Sequence, residues 1–364
     1  MAENKWQHFV PQFYFKYFSI DSKNICGYYL KGKKHYQSSI VSQSAKNYFY
    51  SENTEVEKSF SSIEAQFNTI LKKIIENDNF RVLTGYEYME MLRFISFQGS
   101  RTEKAKRLSD DFIDKMFEKI VKPMMKADKE LMKKVTEQEL DKVRLVYPGA
   151  FLYGVIHSLE SNILLTDLVP AVIINKTEQK FIFSDNPVIF YNLIYRDPTH
   201  AFEGIQHPGL IVICPISSEK CLLLFDSTYY SIKLDNKNTI EINDLEDIRS
   251  INKLQFHNCL HNIYYKSESQ KSSVDDLSRD YFSEYSKDKD LAQIKEVPKW
   301  NGGNSSLLVS SKKGIPEKVN LRFIKCGKPL RKVLVVRDKK LLDLFEEKMK
   351  LYGFENRDSK DRFN

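Results

Sequence analysis

The chain has 364 residues, of which 41% are apolar and 13% aromatic, a composition that supports a sizeable core and excludes an intrinsically disordered chain. Lys and Arg number 56 against 49 Asp and Glu, and the formal charge of +7 favours polyanionic partners such as nucleic acid. No apolar run approaches the roughly 20 residues that span a bilayer, and the five widely spaced cysteines predict neither a disulfide framework nor a zinc ribbon. We therefore expect a cytoplasmic protein with no membrane partner, whose protein partners and oligomeric state stay open.

An unusually aromatic segment opens the chain and predicts a short buried helix. Pro11 suits the first turn of this helix, which we expect to end near Phe18. His8 then lies just before the helix and Gln12 lies one residue inside it. Both side chains can therefore point toward a common interior space.

A β-hairpin and a set of helices follow. Residues 25–30 and 35–40 flank a short polar loop and predict the hairpin. Residues 54–75 repeat apolar side chains at three- and four-residue steps, as an amphipathic helix requires, and Glu64 falls beside the apolar stripe. A second helix is predicted to begin near Thr84 as its N-cap. Further helices are predicted before Pro123, over residues 126–142 as a solvated helix, and over 151–161.

After Pro170 the pattern changes to short β-branched and aromatic runs separated by turn residues. Such runs predict strands, most simply in one antiparallel sheet. The predicted strands are 171–175, 181–183, 188–190, 210–216, 220–225 and, after a helix over 243–257, 261–265.

The last hundred residues change character again. Residues 267–304 are polar and charged, which favours a linker or an exposed insertion. Two further apolar runs and a helical pattern predict a small β-β-α appendage, at 319–324, 333–336 and 340–349. We predict an α+β fold in which a helical middle packs on an antiparallel sheet. Its parts are a main domain (1–266), a polar linker or insertion (267–304) and a small C-terminal appendage (305–364).

Candidate functional residues are dispersed, because no GxxxxGK[ST], GxGxxG, GxSxG or HExxH motif occurs. Ser184-Asp185-Asn186-Pro187 places a hydroxyl, a carboxylate and a carboxamide at the end of an apolar run, although the same residues suit an ordinary β-turn. Gln98 and Arg101 lie three apart and share one face of a helix. His257, Cys259 and His261 have metal-ligand spacing only if they are helical, and they fall at a predicted helix end.

Several of these motifs resemble a known family. The chain is similar, from about Trp6 to Tyr265, to the bacterial domain-of-unknown-function family 4238, for which the resemblance implies no established activity. The motifs that carry the resemblance are His8-Phe-Val-Pro-Gln12-Phe-Tyr14, Ala45-x-x-x-Phe49-Tyr50, the helix with Glu64, Phe97-Gln98-x-x-Arg101-Thr102, Ser184-Asp185-Asn186-Pro187, Cys214-Pro215-Ile216-Ser217 and Asn252-x-x-Gln255.

If these polar side chains converge, they suit phosphodiester cleavage. His8 can exchange protons near neutral pH, and Arg101 can clamp a phosphate. Asp185 and Glu64 can serve as a base or as oxygen ligands for Mg²⁺, although the metal requirement stays open. We therefore predict a nuclease-like effector that acts on RNA or DNA, in antiphage defence or toxicity. Its predicted catalytic residues are His8, Glu64 and Asp185, and its predicted substrate-binding residues are Gln12, Gln98, Arg101 and Asn186.

Three alternatives stay open. The same pocket can hydrolyse or sense a nucleotide, such as NAD or a signal nucleotide. The protein can bind a partner without catalysis, in which case the polar set should be scattered. A buried Arg101–Glu64 pair hydrogen-bonded to Gln98, with His8 capping its own helix, also accounts for these residues without chemistry. Under the nuclease hypothesis, changing His8 or Asp185 to alanine should abolish cleavage and leave the fold intact.

Overall fold

The computed structural model describes residues 6–145, 147, 149–197, 200–201, 203–284, 292–298, 304–310, 319–328 and 336–351. The α-helices are α1 (Gln12–Lys16), α2 (Thr54–Asn77), α3 (Gly85–Ser100), α4 (Glu103–Met116), α5 (Lys122–Ala127), α6 (Glu137–Lys142), α7 (Ala150–Ser158), α8 (Leu245–Asn258), α9 (Lys271–Glu284) and α10 (Lys339–Leu351). The strands are β1 (Trp6–His8), β2 (Asn24–Tyr29), β3 (Lys34–Ser39), β4 (Ala45–Asn47), β5 (Val169–Asn175), β6 (Phe183–Ser184), β7 (Ile189–Asn192), β8 (Arg196–Asp197), β9 (His200–Ala201), β10 (Leu210–Pro215), β11 (Lys220–Phe225), β12 (Tyr230–Ser231), β13 (Thr239–Ile242), β14 (Asn262–Tyr265), β15 (Ala292–Pro298), β16 (Asn304–Ser310) and β17 (Lys325–Cys326).

The two long helices of the middle section begin and end at residues suited to those positions. The side chain of Asn53 accepts a hydrogen bond from the Glu55 amide at the start of α2, and Asp78 ends the helix in the left-handed conformation. Helix α3 begins with a capping box in which Thr84 and Glu87 satisfy each other's main-chain amides. Both helices therefore have fixed starting points.

Two large sheets form most of the β part of the fold, and the remaining strands pair in twos. A five-stranded sheet has the order β13-β5-β11-β10-β7, and a four-stranded sheet has the order β3-β2-β14-β6. All pairs in both sheets are antiparallel except β13 with β5, which run parallel. The sequence predicted one antiparallel sheet for the strands after Pro170; they instead divide between two, because β14 pairs with β6 on one side and with β2 of the N-terminal hairpin on the other.

Aromatic side chains join α1 to the second sheet. Phe15 lies 4.8 Å from Tyr264, and Phe18 lies 4.5 Å from Phe183, both measured between ring centroids. Helix α3 adds to the same core, since Phe94 packs on Phe67 of α2 at 5.4 Å. Burying such large rings is the main source of stability at this junction. It also holds the N-terminal segment close to α2 and α3.

The solvated helix predicted over residues 126–142 is interrupted. Helix α5 ends at Ala127, where the Asp128 side chain accepts hydrogen bonds from the amides of Glu130 and Leu131. A second capping box at Thr136 then starts α6. Local hydrogen bonds from Asp and Thr side chains compete with a continuous helix at these positions.

Residues after 266 pack on the main body. Helix α9 buries Val274 and Leu277 in a cluster that includes Phe256 of α8, within the segment predicted as a polar linker. Val319 and Leu321 belong to the main hydrophobic core, and β17 pairs with β12. The predicted helix at 340–349 is α10, whereas most of the predicted strand at 333–336 lies outside the described residues. The boundaries at 266 and 304 stay predictions.

The α+β fold predicted from the sequence is confirmed. Helices cover the middle of the chain, and antiparallel pairing dominates the sheets. Among the described helices, none combines the length and the apolar character needed to cross a membrane.

Candidate active site

A buried arginine lies at the centre of the candidate site. Arg101 follows the last residue of α3 and is 1% exposed. Its Nη2 lies 2.6 Å from Glu64 Oε1 and also donates to the His8 carbonyl oxygen. Its Nε donates to the Tyr50 hydroxyl at 2.9 Å, and the guanidinium lies 4.6 Å from the centre of the Phe97 ring. Only Nη1 has no hydrogen-bond partner.

The electrostatics of this arginine keep it charged. Burial acts to lower the pKa of Arg101, but the neighbouring Tyr50 and Glu64 outweigh it and raise the pKa above its usual value. A permanently charged guanidinium with one free donor in an apolar pocket can hold an anionic group.

A second carboxylate, which the sequence analysis did not single out, belongs to this cluster. Glu57 lies on α2 seven residues before Glu64, so two helical turns place both on one face. Burial raises the pKa of Glu57 to about 7, and the charge of Glu64 adds to the shift while Arg101 opposes it. Glu57 Oε2 is buried and has no hydrogen-bond partner. The seven-residue spacing was the signal in the sequence that could have identified it.

His8 and two glutamines complete the N-terminal side of the cluster. His8 Nε2 lies 3.0 Å from the Val41 carbonyl oxygen and 3.4 Å from Gln12 Nε2. The shorter contact makes Nε2 the donor and leaves Nδ1 as the nitrogen that can accept a proton. Burial lowers the pKa of His8, so its imidazole is neutral at neutral pH. Gln98 donates to the Phe9 carbonyl oxygen at 2.9 Å rather than to the arginine pair.

Asp185 lies in a different hydrogen-bond network. Its two oxygens accept from the main-chain amides of Leu260 at 2.8 Å, His261 at 2.7 Å and Asn262 at 3.1 Å. Burial raises the pKa of Asp185, and these main-chain donors oppose the shift. The neighbouring Asn186 accepts from the Thr102 hydroxyl at 2.7 Å. This contact joins the Asp185 loop to the residue that follows Arg101.

Helix α8 holds the same loop with a row of amides. Gln255 accepts from the Ser184 amide at 2.9 Å and donates to the Pro187 carbonyl oxygen at 2.9 Å. One turn earlier, Asn252 accepts from the Ile182 amide at 3.1 Å. The main-chain groups of this loop that have no partner in the sheet are thus hydrogen-bonded to side chains, as buried polar groups require. The Asn252-x-x-Gln255 motif therefore has a structural role.

The structure thus divides the predicted site residues into two groups. Glu64, Arg101, His8 and Gln12 share one continuous set of contacts, and Gln98 lies on their side but bonds to the Phe9 carbonyl oxygen. Asp185 and Asn186 lie in the network of the 259–262 turn, and Thr102 connects it to the first group. The assignment of all seven residues as site residues stays a prediction.

The donor set does not match a Mg²⁺ site. Both oxygens of Asp185 accept main-chain hydrogen bonds, and Glu64 pairs with Arg101. The part of the chain that the structure describes contains no group of three or more His, Cys, Asp or Glu side chains placed to hold a metal ion. We therefore assign no metal-dependent step to these residues.

The His257, Cys259 and His261 side chains have separate surroundings. The His257 ring packs 5.3 Å from the Tyr281 ring, whereas His261 Nε2 lies 3.3 Å from Glu103 Oε1. Burial raises the pKa of the Cys259 thiol well above its usual value, which disfavours the thiolate that binds metals.

A cavity of about 460 Å³ lies on the other side of Tyr50. Phe151 and Lys106 contribute to its wall, with the Lys106 ammonium 5.1 Å from the centre of the Phe151 ring. Asp110 also lines it. Because the Tyr50 hydroxyl contacts Arg101, a molecule in this cavity would share a side chain with the arginine cluster.

Comparison with models of protein families gives a match. The model of a family described as protein of unknown function, DUF4238, matches residues 6–269, which is most of the chain and includes both groups of candidate residues. No curated protein and no solved structure matches the chain.

Proposed function

The chain belongs to the DUF4238 family of proteins of unknown function, and we propose that it is a phosphodiesterase that hydrolyses nucleic acid by acid–base catalysis. The observation that carries the proposal is a pair of unpartnered buried atoms in one cluster, Arg101 Nη1 and Glu57 Oε2. Buried polar atoms in native proteins are nearly always paired, and a bound ligand is one way to pair these two. A phosphate oxygen satisfies both, as the acceptor from Arg101 and from protonated Glu57.

The chemistry requires an acid, a base and a positive charge. Neutral His8 takes a proton from water through Nδ1, and the water oxygen forms a bond to phosphorus. The phosphorus–oxygen bond to the leaving group breaks, and Glu57 gives its proton to that oxygen. Arg101 stabilises the negative charge that develops on the phosphoryl oxygens. The products are a phosphomonoester and an alcohol, and solvent returns the proton from His8 to Glu57.

The proposal predicts a bell-shaped dependence of cleavage rate on pH. The rate rises with pH as His8 loses its proton. This happens at a pH below the usual pKa of histidine, because burial lowers the pKa of His8. The rate falls as Glu57 loses its proton near pH 7, since its pKa is about 7. An acid with a pKa near the working pH is effective because it is both protonated and able to transfer the proton.

The direct test is cleavage of end-labelled RNA and DNA by the purified chain and by Glu57→Gln. We expect a loss of about 10²- to 10⁴-fold in rate, the range that a general acid contributes. Glu55→Gln is the matched control, because Glu55 lies on the same helix turn but is exposed and pairs with Lys58. Equal rates for Glu57→Gln and the wild type contradict the role of Glu57. The absence of cleavage of every nucleic acid by the wild type contradicts the proposal as a whole.

A second candidate function is hydrolysis or sensing of a small nucleotide. The cavity beside Tyr50 favours it, since aromatic walls and Lys106 suit a base and a phosphate. A panel of nucleotides, including NAD, should then raise the melting temperature in a saturable way. A flat response across the panel would leave the nucleic-acid substrate as the better candidate.

A further inference from the structure

We propose that Lys46, Arg107 and His261, gathered around Glu103, form a binding site for the phosphate backbone of nucleic acid. This inference rests on the proposed function and names the surface that guides the substrate to it.

Three basic side chains from separate segments converge on one carboxylate oxygen. Glu103 Oε1 lies 2.8 Å from Lys46 Nζ, 2.7 Å from Arg107 Nη2 and 3.3 Å from His261 Nε2. Lys46 comes from β4, Arg107 from α4 and His261 from the turn before β14. Arg107 Nη2 also lies 3.0 Å from His261 Nε2.

The charges in this group do not balance at its surface. The Glu103 side chain is 7% exposed, whereas those of Lys46 and Arg107 are 51% and 55% exposed. Burial acts to raise the pKa of Glu103, but hydrogen bonds from His261, Lys46 and Arg107 outweigh it and lower the pKa, so the carboxylate stays ionised and holds these groups in place. The buried carboxylate therefore acts as an anchor, and the cations present unused donors to solvent.

The basic group lies beside the candidate active site. In the β1–β4 ladder Lys46 faces Gln7, and its neighbour Ala45 faces His8. Glu103 follows Arg101 by two residues. Lys46 and Glu103 therefore lie next to His8 and Arg101 along the chain, which places the basic group at the edge of the candidate active site.

The Asp185 loop fixes this geometry. Asp185 accepts the main-chain amide of His261, and Asn186 accepts the hydroxyl of Thr102, the N-cap of α4. These two contacts hold the His261 turn and the start of α4 at one place. The Ser-Asp-Asn-Pro motif therefore has a positioning role for the basic group.

The chemistry of the group suits phosphates. Exposed lysine and arginine side chains on a rigid support are typical contacts to a nucleic-acid backbone, and each displaces condensed counterions. Arg107 presents a planar fork that matches phosphate geometry, while Lys46 acts as a point charge.

The test measures binding of labelled single-stranded RNA and single- and double-stranded DNA by fluorescence anisotropy across a salt series. All measurements use the Glu57→Gln background, so that the probe is not cleaved. Lys46→Gln with Arg107→Gln should weaken binding about tenfold or more and reduce the slope of log affinity against log salt by about 1.5. Lys58→Gln with Lys133→Gln is the matched control, because it removes the same charge from exposed pairs on other helices. We expect the control to change affinity less than threefold.

Three outcomes overturn the inference. The first is an equal loss in the control, which would assign binding to net charge, and the second is unchanged binding by the Lys46 and Arg107 variant. The third is that heparin binds as tightly as nucleic acid and that unlabelled nucleic acid does not displace it. Because the double variant removes two partners of Glu103, Lys46→Gln alone provides a second variant that leaves Arg107 and His261 in place. Binding that depends on Lys46 without any cleavage by the wild type would contradict the phosphodiesterase and leave this site standing.

Discussion

At the scale of single residues, the pair of Arg101 and Glu64 is asymmetric. The arginine is 1% exposed on its side chain and the glutamate 19%. Removing Glu64 leaves the buried Arg101 guanidinium without the negative charge that pairs with it. Removing an exposed carboxylate leaves no buried charge unpaired. Glu64→Ala should therefore lower the free energy of unfolding by about 3 kcal/mol. Glu55→Ala, at an exposed pair, should lower it by less than about 0.5 kcal/mol. Urea unfolding of both variants measures the difference, and similar values would show that the buried pair contributes little.

Glu57 makes stability depend on pH in a defined direction. Its pKa in the folded state, about 7, is above that of an ordinary glutamate, so folding favours the protonated form. This contribution is present below the unfolded pKa of about 4.3 and is lost as the pH rises to about 7. Solvent screening at a partly exposed side chain reduces the loss to about 1 kcal/mol. Glu57→Gln should match the wild type below pH 5 and be more stable than it above pH 7. Thermal unfolding across pH 5 to 8 tests this, and parallel curves would contradict the raised pKa.

Sequence patterns located the arginine cluster better than they located the partners of Asp185. The helix of Glu64 follows from apolar periodicity, and the face shared by Gln98 and Arg101 follows from three-residue spacing. The partners of Asp185 are main-chain amides that lie 75 to 77 residues later in the chain. Every residue except proline has such an amide, so no pattern of side chains identifies it.

At the scale of elements, α8 is a helix with a row of amide side chains that face inward. Asn252, Gln255 and Asn258 are all buried and contact the segment from Lys180 to Val188. Buried polar side chains on a helix are costly unless each finds a partner. Here the partners are main-chain groups of a segment with only a two-residue strand, β6. The helix thus replaces the missing strand-to-strand hydrogen bonds.

This arrangement predicts a large effect of one amide. Gln255→Ala leaves the Ser184 amide and the Pro187 carbonyl oxygen buried without partners. We expect a loss of about 3 kcal/mol in the free energy of unfolding, since each orphaned group costs on the order of 1–3 kcal/mol. Glu246→Ala, at an exposed position of the same helix, should cost less than about 1 kcal/mol. Chemical denaturation compares the two, and a small effect at Gln255 would mean that water replaces its hydrogen bonds.

Most elements were predictable because their signal is local. The helices over 54–75 and 243–257 were observed at 54–77 and 245–258, and the strand over 220–225 was observed as predicted. The parallel pairing of β13 with β5 had no such signal. The connection from β5 to β13 is long and includes β11. Tertiary packing, rather than the sequence of either strand, determines which strands pair.

At the scale of the whole molecule, the family match and the packed structure have different extents. The family model ends at residue 269, yet Val319, Leu321 and Ile324 lie in the main hydrophobic core. The sequence predicted a linker over residues 267–304 because polar residues dominate that segment. A few apolar side chains at helical spacing, such as Val274 and Leu277 of α9, are enough to dock such a segment.

Arg337 fastens the C-terminal segment and gives a test of that docking. Its Nη2 lies 2.9 Å from Asp167 Oδ1, and its Nη1 donates to the carbonyl oxygens of Ile205 and His207 at 3.1 Å. The arginine side chain is 6% exposed, so its removal leaves a carboxylate and several carbonyl oxygens without a donor. Arg337→Ala should cost about 3 kcal/mol and make α10 sensitive to protease before the main body is cut.

The matched control is Arg279→Ala, because Arg279 also pairs with an aspartate, Asp276, but is 74% exposed. Its cost should stay within about 0.5 kcal/mol. Limited proteolysis followed by mass measurement locates the first cut. If α10 of Arg337→Ala resists cleavage as in the wild type, other contacts, such as the Lys348–Glu160 pair and the buried Met349, are enough to hold the segment. Simultaneous cleavage of α10 and the main body would instead show that the C-terminal segment and the family domain form one cooperative unit.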